Sequence, residues 1–338
     1  MASTMKAWQW TTIQDKFENS IVLNHDVPVP DKSTLTSSQL LVEVITVAIN
    51  PVDYKVPESG WIGNIMIRGR PATPGIDFCG RIVAKHQSNN SFTEGQLVFG
   101  SLKKVAKSGT LSQYTVVSVD ECALLPDGVD PDQGAATGCA ATTALQSVPS
   151  ELIKPGSRVF INGGSGGVGT YTIQFAKALS ARVTASCSAR NAELCKSLGA
   201  DEIIDYTETD VITVLKEQGQ IYDLVIDNVG NLDLSRQSPA FMKKGATFMQ
   251  VGIESVNARD ILTVFGKMFW PGSILRFIQM KNEAAYFTQI GKWMTEGKVR
   301  AVIDEAFEFE DVPKAYEKLK TGRARGKIIV HVGNKASL

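Results

Sequence analysis

The sequence predicts an α/β protein built from two parts, a β-rich region followed by a doubly wound parallel sheet. Three observations carry that prediction. The chain has 338 residues, more than twice the roughly 150 expected of one compact domain. From residue 6 to 125 short β-like runs alternate with turns, whereas from about 127 strands alternate with helices. At the first strand-to-helix junction of that second region, residues 159–169 read VFINGGSGGVG, bare backbone where a strand should hand over to a helix.

The elements follow in order. Residues 40–48, 80–84, 96–99 and 114–119 are rich in Val, Ile and Leu and are separated by Pro and Gly, which predicts a compact β-rich domain over 1–126. Residues 158–161, 182–186, 202–206, 223–227, 246–251 and 274–278 are short apolar strand candidates. Helical stretches such as 170–180 and 192–198 lie between them, so the strands should run parallel in βαβ units over 127–297. Residues 261–281 are rich in large apolar side chains interleaved with Lys267, Arg276 and Lys281. They suit a subunit-facing helix and edge strand, the wall of a greasy pocket, or a surface resting on a membrane.

Composition narrows the function. With 35 basic residues against 35 acidic ones, nothing points to a nucleic-acid partner. No run reaches the ~18–20 apolar residues of a membrane span, and the N-terminal residues lack a secretory profile, so a cytoplasmic protein is expected. The five cysteines are odd in number and contain no CxxC pair, which fits reduced thiols rather than disulfides or a metal cage. His25, His86 and His331 fall in no motif.

The glycine-rich stretch carries the chemistry. Gly164, Gly166 and Gly169, with Ser165, Gly167 and Val168 between them, fit GxGxxG between a strand and a helix, the setting that makes this pattern a dinucleotide fingerprint. Gly164 would allow the tight turn, Gly166 the close approach of a pyrophosphate, and Gly169 the packing of helix on strand. The next strand ends in ASCSAR, without the Asp or Glu that bonds the ribose hydroxyls of NAD. Ser186, Ser188 and Arg190 instead offer hydroxyls and a guanidinium to a 2′-phosphate, so NADPH is the expected cofactor.

The order of a β-rich region, INGGSGGVG, then SLGADEIIDY at 197–206 and YDLVIDNVG at 222–230 resembles the medium-chain dehydrogenase/reductase superfamily over nearly the whole chain. NPVDYK at 50–55 and PGIDFCG at 74–80 are similar to its quinone oxidoreductase branch, with chloroplast-envelope quinone oxidoreductase homologues and fungal trans-acting enoyl reductases as relatives. The resemblance implies a Rossmann sheet joined to a GroES-like catalytic domain, the latter completed by 298–338, with the active site in the cleft between the domains. It also implies that Tyr206 covers the adenine ribose or its phosphate, that Asn228, Val229, Gly252 and Ile253 lie where the cofactor crosses the sheet edge, and that Lys327 reaches the cofactor from the returning segment.

Zinc is not expected. A catalytic zinc needs about three side-chain ligands. The NPVD segment replaces the first cysteine of zinc-dependent relatives, Gly75-Ile76-Asp77 replaces their Gly-His-Glu, and Cys139 alone matches a ligand position. The natural chemistry is then hydride addition to the activated C=C bond of an enone or enal, or to a quinone, with negative charge developing on the carbonyl oxygen. Lys55 or Tyr54 could meet that charge or supply the proton, while Asn50 and Asp53 could fix the segment or the nicotinamide ribose. The enoyl reductase resemblance favours Lys55 and places Thr143 by the cofactor. Two classes stay open, this reductase and a non-catalytic NADPH-binding sensor or structural protein, each as a monomer or homodimer and with peripheral membrane contact as a further alternative.

Overall fold

The computed structural model describes residues 4–105, 107–252, 275–277 and 281–333, and the chain divides into two compact units. One comprises Met1–Thr142 with Lys281–Leu338, the other Thr143–Met280.

In the first unit, β1 (Thr4–Gln9) and β2 (Val22–Pro28) form an antiparallel pair. A seven-stranded sheet is built from β3 (Gln39–Ile49), β4 (Asp77–Lys85), β5 (Leu97–Ser101), β6 (Tyr114–Ser118) and β7 (Cys122–Leu124), with two strands supplied from the C-terminal end of the chain. The eleven residues of β3 are almost all buried, as befits the strand that pairs with β4, β6 and a returning strand. Two short helices, α1 (Phe17–Ser20) and α2 (Pro51–Glu58), pack in this unit, and α3 (Trp61–Met66) follows. Gly63 allows α3 to lie against α2, since a Cβ there would sit 2.1 Å from the Val56 carbonyl oxygen. Helix α4 (Pro131–Ser147) closes this part of the chain and kinks at Gly138.

The second unit holds β8 (Arg158–Asn162), β9 (Arg182–Cys187), β10 (Glu202–Asp205), β11 (Tyr222–Asp227), β12 (Met242–Gln250) and β13 (Leu275–Phe277). They pair in the order β10-β9-β8-β11-β12-β13, every pair parallel. This is the doubly wound Rossmann order, which reverses beside β8. Helices α5 (Gly167–Ala178), α6 (Ala192–Ser197), α7 (Val211–Gln218) and α8 (Leu232–Gln237) alternate with the strands. The central strands read as unbroken apolar runs because a parallel sheet is covered on both faces: Val159, Phe160, Ile161, Leu224, Val225 and Ile226 are all fully buried. The apolar segment 261–281 and Ile253 lie mostly outside the described residues, of which 275–277 form the edge strand β13.

The chain then returns to the first unit. Helix Ala284–Thr295 packs there, with Phe287 edge-on to Phe99 at 6.0 Å between ring centroids and Gly291 against Pro126. β14 (Ile303–Glu308) pairs in parallel with β15 (Lys327–His331), which pairs antiparallel with β3. Phe309, Val312 and Tyr316 enter the same apolar cluster as Trp8 and Phe17, and the Phe17 and Tyr316 rings meet edge-on at 4.9 Å. The two compact units meet at 142/143 and 280/281, whereas the texture of the sequence changes at 126/127 and 297/298. The two divisions differ because the first part of α4 and helix Ala284–Thr295 look like helices of the α/β region but bury apolar faces in the β-rich one.

A Cβ at Gly169 would lie 2.1 Å from the Gly163 carbonyl oxygen. Gly169→Ala should therefore destabilise the protein by about 1–3 kcal/mol, the usual cost of overpacking, read as a lower urea midpoint at unchanged m-value.

Candidate active site

The carboxyl edge of the parallel sheet is organised by a row of buried polar side chains. Four apolar strands reach this edge at a polar residue: Asn162 at the end of β8, Ser186 near the end of β9, Asp227 at the end of β11 and Gln250 at the end of β12. Asp227 lies in register with Asn162 on one side and with Gln250 on the other, so their side chains share a face. Its Oδ1 accepts from Asn162 Nδ2 at 2.9 Å and from the N–H groups of Val229 and Gly230 at 3.0 and 3.1 Å. Its Oδ2 accepts from Gln250 Nε2 at 3.0 Å. Asn162 Oδ1 accepts from the Ser186 hydroxyl at 2.6 Å, and Ser186 Oγ in turn accepts from the Gly163 N–H at 2.9 Å.

That row fixes the glycine loop. The left-handed residue of the turn is Gly163, at φ 76°, rather than the expected Gly164. Gly164 is needed for packing, since a Cβ there would lie 2.9 Å from the Ala185 methyl, and its N–H donates to the Ser186 carbonyl at 2.8 Å. Gly169 packs against the turn, as described above. At Gly166 a Cβ would meet nothing closer than 3.7 Å. Gly166 caps α5 with extended backbone, and Gly167 and Val168 open the helix beside Ser165, so a twelve-residue helix with unpaired first N–H groups starts at a residue that carries no side chain.

Several polar atoms along this edge are buried without a hydrogen-bond partner among the described residues: Ser188 Oγ, Asn191 Oδ1, both side-chain polar atoms of Asn228 and Gln250 Oε1. Buried polar groups are normally paired, so an orphaned set beside a glycine-rich helix start marks a place where a polar ligand would complete the bonding. Asn191 also donates to Ser165 Oγ at 3.0 Å. Arg190 is exposed, as are Tyr206 at 56% and Val229 at 48%. Gly252 donates its N–H to the Asp227 carbonyl, and a Cβ there would lie 2.4 Å from the Asn228 carbonyl oxygen. Thr143 is buried in α4. Ser186, expected at a phosphate, has both its hydrogen and an oxygen lone pair engaged in holding the turn.

The first unit carries the NPVDYK segment. Asn50 and Asp53 form a capping box at the start of α2, in which the Asn50 N–H donates to Asp53 Oδ2 at 2.7 Å, and Pro51 stands at the first helical position where its missing N–H costs nothing. Asn50 Nδ2 donates to Asp77 Oδ2 at 2.8 Å, and the Cys139 N–H donates to Asp77 Oδ1 at 2.7 Å. The kink at Gly138 makes that second bond possible, because a Cβ there would fall 2.2 Å from the Asp77 carboxyl carbon. Lys327, expected to reach the cofactor, is buried in this cluster: its ammonium donates to the Ile49 carbonyl at 3.1 Å and to Asn50 Oδ1, and lies 3.4 Å from Asp77 Oδ2. Its position on β15, paired with β3, turns the side chain into the interior rather than outward.

The other two residues of the segment differ from each other. Tyr54 is half-buried against the apolar cluster, with Lys320 Nζ 4.9 Å over its ring, and burial is the main reason its phenol is raised above the usual range. Lys320 also bonds Glu18 and Glu58, and Glu58 accepts the Phe17 N–H at 2.7 Å, so the end of α2 is tied as firmly as its start. Lys55 is exposed on this clamped helix and makes no ion pair among the described residues.

Family models agree with this architecture. An alcohol dehydrogenase GroES-like domain matches residues 36–127 and a zinc-binding dehydrogenase domain matches 198–330. The chain is 44% identical to a trans-enoyl reductase of Aspergillus terreus, covering 98% of this chain and 97% of the relative. It is 30% identical to the human mitochondrial NAD(P)H oxidoreductase, covering 98% and 90%. The solved quinone oxidoreductase of Coxiella burnetii superposes with a TM-score of 0.84 at 28% identity, over 97% of this chain and 99% of that one. The chain belongs to the medium-chain dehydrogenase/reductase superfamily, in its quinone oxidoreductase and enoyl reductase-like branch. It is an oxidoreductase with a nicotinamide cofactor.

Reasoning from the sequence missed Asn162, Asp227, Gln250 and Asn191. The available signal was the polar residue closing each apolar strand, since a lone polar residue at the carboxyl edge of a parallel sheet faces either a partner or a ligand.

The capping box has a consequence for pH. Burial pushes the Asp53 carboxyl up from its ordinary 3.8 to about 8; the Asn50 N–H opposes this, the Asp77 charge adds to it, and Lys327 and the Tyr316 phenol oppose it. The folded protein then keeps this proton up to about pH 8 whereas the unfolded chain releases it near 3.8, so the stability it contributes is full below about pH 4 and is lost as pH rises to about 8. Asp53→Asn should flatten that decline, so that urea midpoints of variant and wild type diverge between pH 5 and 9. Parallel profiles would contradict the assignment.

Proposed function

We propose that the protein is an NADPH-dependent, zinc-independent reductase that delivers hydride to the activated C=C bond of an α,β-unsaturated carbonyl or to a quinone. The observation that carries this is the open glycine loop flanked by orphaned buried polar groups, a set whose chemistry fits a dinucleotide. The N–H groups at the start of α5, with Gly166 and Val168, would hold the pyrophosphate. Ser188, Arg190 and Tyr206 would take the 2′-phosphate end, and Asn228, Val229 and Gly252 the opposite end, with Thr143 nearby. Exposed and free of an ion pair among the described residues, Arg190 is available to a phosphate, and β9 ends without the carboxylate that NAD would require.

When bound, NADPH supplies the hydride from its nicotinamide ring. Lys55 meets the negative charge that develops on the carbonyl oxygen, as an ammonium on a helix fixed at both ends. Tyr54 is the weaker donor candidate because its ring is packed beneath Lys320 and its phenol is raised. Asn50 and Asp53 hold α2 in place. Zinc independence is supported by Asp77, whose two oxygens are already met by Asn50, the Cys139 N–H and the Lys327 ammonium. The relatives named as a trans-enoyl reductase and a quinone oxidoreductase agree with the substrate class. A cytoplasmic location belongs to the same proposal, supported by five cysteines that remain free thiols.

NADPH oxidation against short enals, long enones and quinones, run in chelator, tests the reaction; no oxidation above background with any of them would contradict it. On the best substrate Lys55→Met should lower kcat by about 10²–10³ with little change in NADPH affinity, while Tyr54→Phe stays close to wild type. A wild-type kcat in Lys55→Met would remove that side chain from the chemistry. The cofactor end is tested separately: NADPH should bind at least about tenfold more tightly than NADH, and Arg190→Ala should erode that preference while leaving NADH binding nearly unchanged.

A further inference from the structure

Asp227 is fully buried, yet its charged end meets only donors. What those donors belong to is the informative point. Asn162 leads into the glycine loop and, through Ser186, fixes the N–H of Gly163. Val229 and Gly230 are the turn that follows β11, next to the orphaned amide of Asn228. Gln250 donates a second bond from Nε2 to the Gly252 carbonyl at 2.9 Å, and the N–H groups of Val251 and Gly252 donate to the Asp227 backbone carbonyl at 3.0 Å. All three loops that leave the carboxyl ends of β8, β11 and β12 are therefore attached to one residue.

We propose that Asp227 is the positioning residue of the cofactor site: its carboxylate holds the glycine loop, the 228–230 turn and the start of the 251–252 segment in their binding geometry before the dinucleotide arrives. This rests on the dinucleotide reading given above. The carboxylate is required rather than a carboxamide, because every group around it donates. An amide of the same shape must turn an NH₂ toward either Gln250 Nε2 or the cluster formed by Asn162, Val229 and Gly230. Gln250 can relieve the first clash by rotating its amide, since Oε1 has no partner among the described residues, but Nε2 then leaves the Gly252 carbonyl. Either way one loop loses side-chain tethers, the 251–252 segment keeping only its backbone bonds to the Asp227 carbonyl, while the sheet below, held by its own ladder and apolar contacts, stays formed. Losing such pre-organisation weakens binding without removing any atom that touches the ligand.

The test uses the full chain, with Asp227→Asn and Gln250→Leu as variants, and measures three quantities: NADPH dissociation constant, KM for NADPH against kcat on the best substrate, and Tm. Asp227→Asn should raise the dissociation constant and KM for NADPH by about tenfold or more, and Gln250→Leu by a smaller factor, because it loosens only the 251–252 segment. In both, kcat at saturating NADPH should fall by a smaller factor than KM rises. If Asp227→Asn fails to fold, Gln250→Leu decides the matter by itself. Variants that lose Tm but keep wild-type KM and dissociation constant would overturn the proposal, leaving Asp227 a packing residue. Wild-type protein that binds neither NADPH nor NADH would overturn the dinucleotide reading, and the proposal with it; wild-type binding with unchanged variants overturns the proposal alone.

Discussion

A carboxylate can be buried in a parallel sheet only if donors surround it, and the second unit is arranged around meeting that requirement at Asp227. Leaving one such acceptor unmet would cost about 1–3 kcal/mol or more, a large share of the net stability of an ordinary domain. Because parallel strands in register bring like positions side by side, a polar residue closing one strand is served most directly by polar residues closing its neighbours. Asn162 and Gln250 stand in register with Asp227, and Ser186 extends the row to β9. The network that satisfies the charge thereby ties down the loops at the sheet edge, and the atoms left unpaired among the described residues, Ser188 Oγ, Asn191 Oδ1 and the side-chain amide of Asn228, lie where a ligand would finish the bonding.

The first unit solves a related problem with a cation. Asp77 is completely buried and is balanced by the Lys327 ammonium, two elements far apart in the chain. Breaking such a pair by removing one partner typically costs about 3–5 kcal/mol, since the survivor is left charged and dry. Asn50 is bonded to both members, and through its capping box with Asp53 it starts α2, the helix that presents Lys55. The returning strand β15 therefore does more than complete a sheet: it brings the charge on which the start of α2 depends. Asp53, adjacent to that pair but denied a cation of its own, keeps its proton instead.

Much of this was legible in the sequence. The apolar runs of β8, β9 and β11 and the glycine pattern identified the Rossmann sheet, because a parallel sheet covered on both faces leaves no alternation to misread. The start of α2 was also visible, in Asn50, Pro51 and Asp53. What could not be read was the direction taken by single side chains. Lys327 looks like any basic residue near a loop until β15 pairs with β3, and Ser186 looks like a ligand for phosphate until Asn162 and Gly163 claim both sides of its hydroxyl. Gly163 took the turn expected of Gly164 for a similar reason: a run of adjacent glycines states that bare backbone is needed but not which residue turns and which one packs. The compact units and the change of texture divide the chain at different residues because helical texture says nothing about which core receives the apolar face.

The central claim is that the carboxyl edge organised by Asp227 is built to receive a dinucleotide. Amide hydrogen exchange of the full chain, measured with and without NADPH, addresses it most directly because it reports residue by residue and needs no substrate. The account predicts slowed exchange on NADPH addition at the first turn of α5, from Gly166 onward, and in the 228–230 and 251–252 segments, with the buried strands β8 and β11 little changed. NADPH binding that left these three segments unaltered, or protected a different face of the unit, would contradict it.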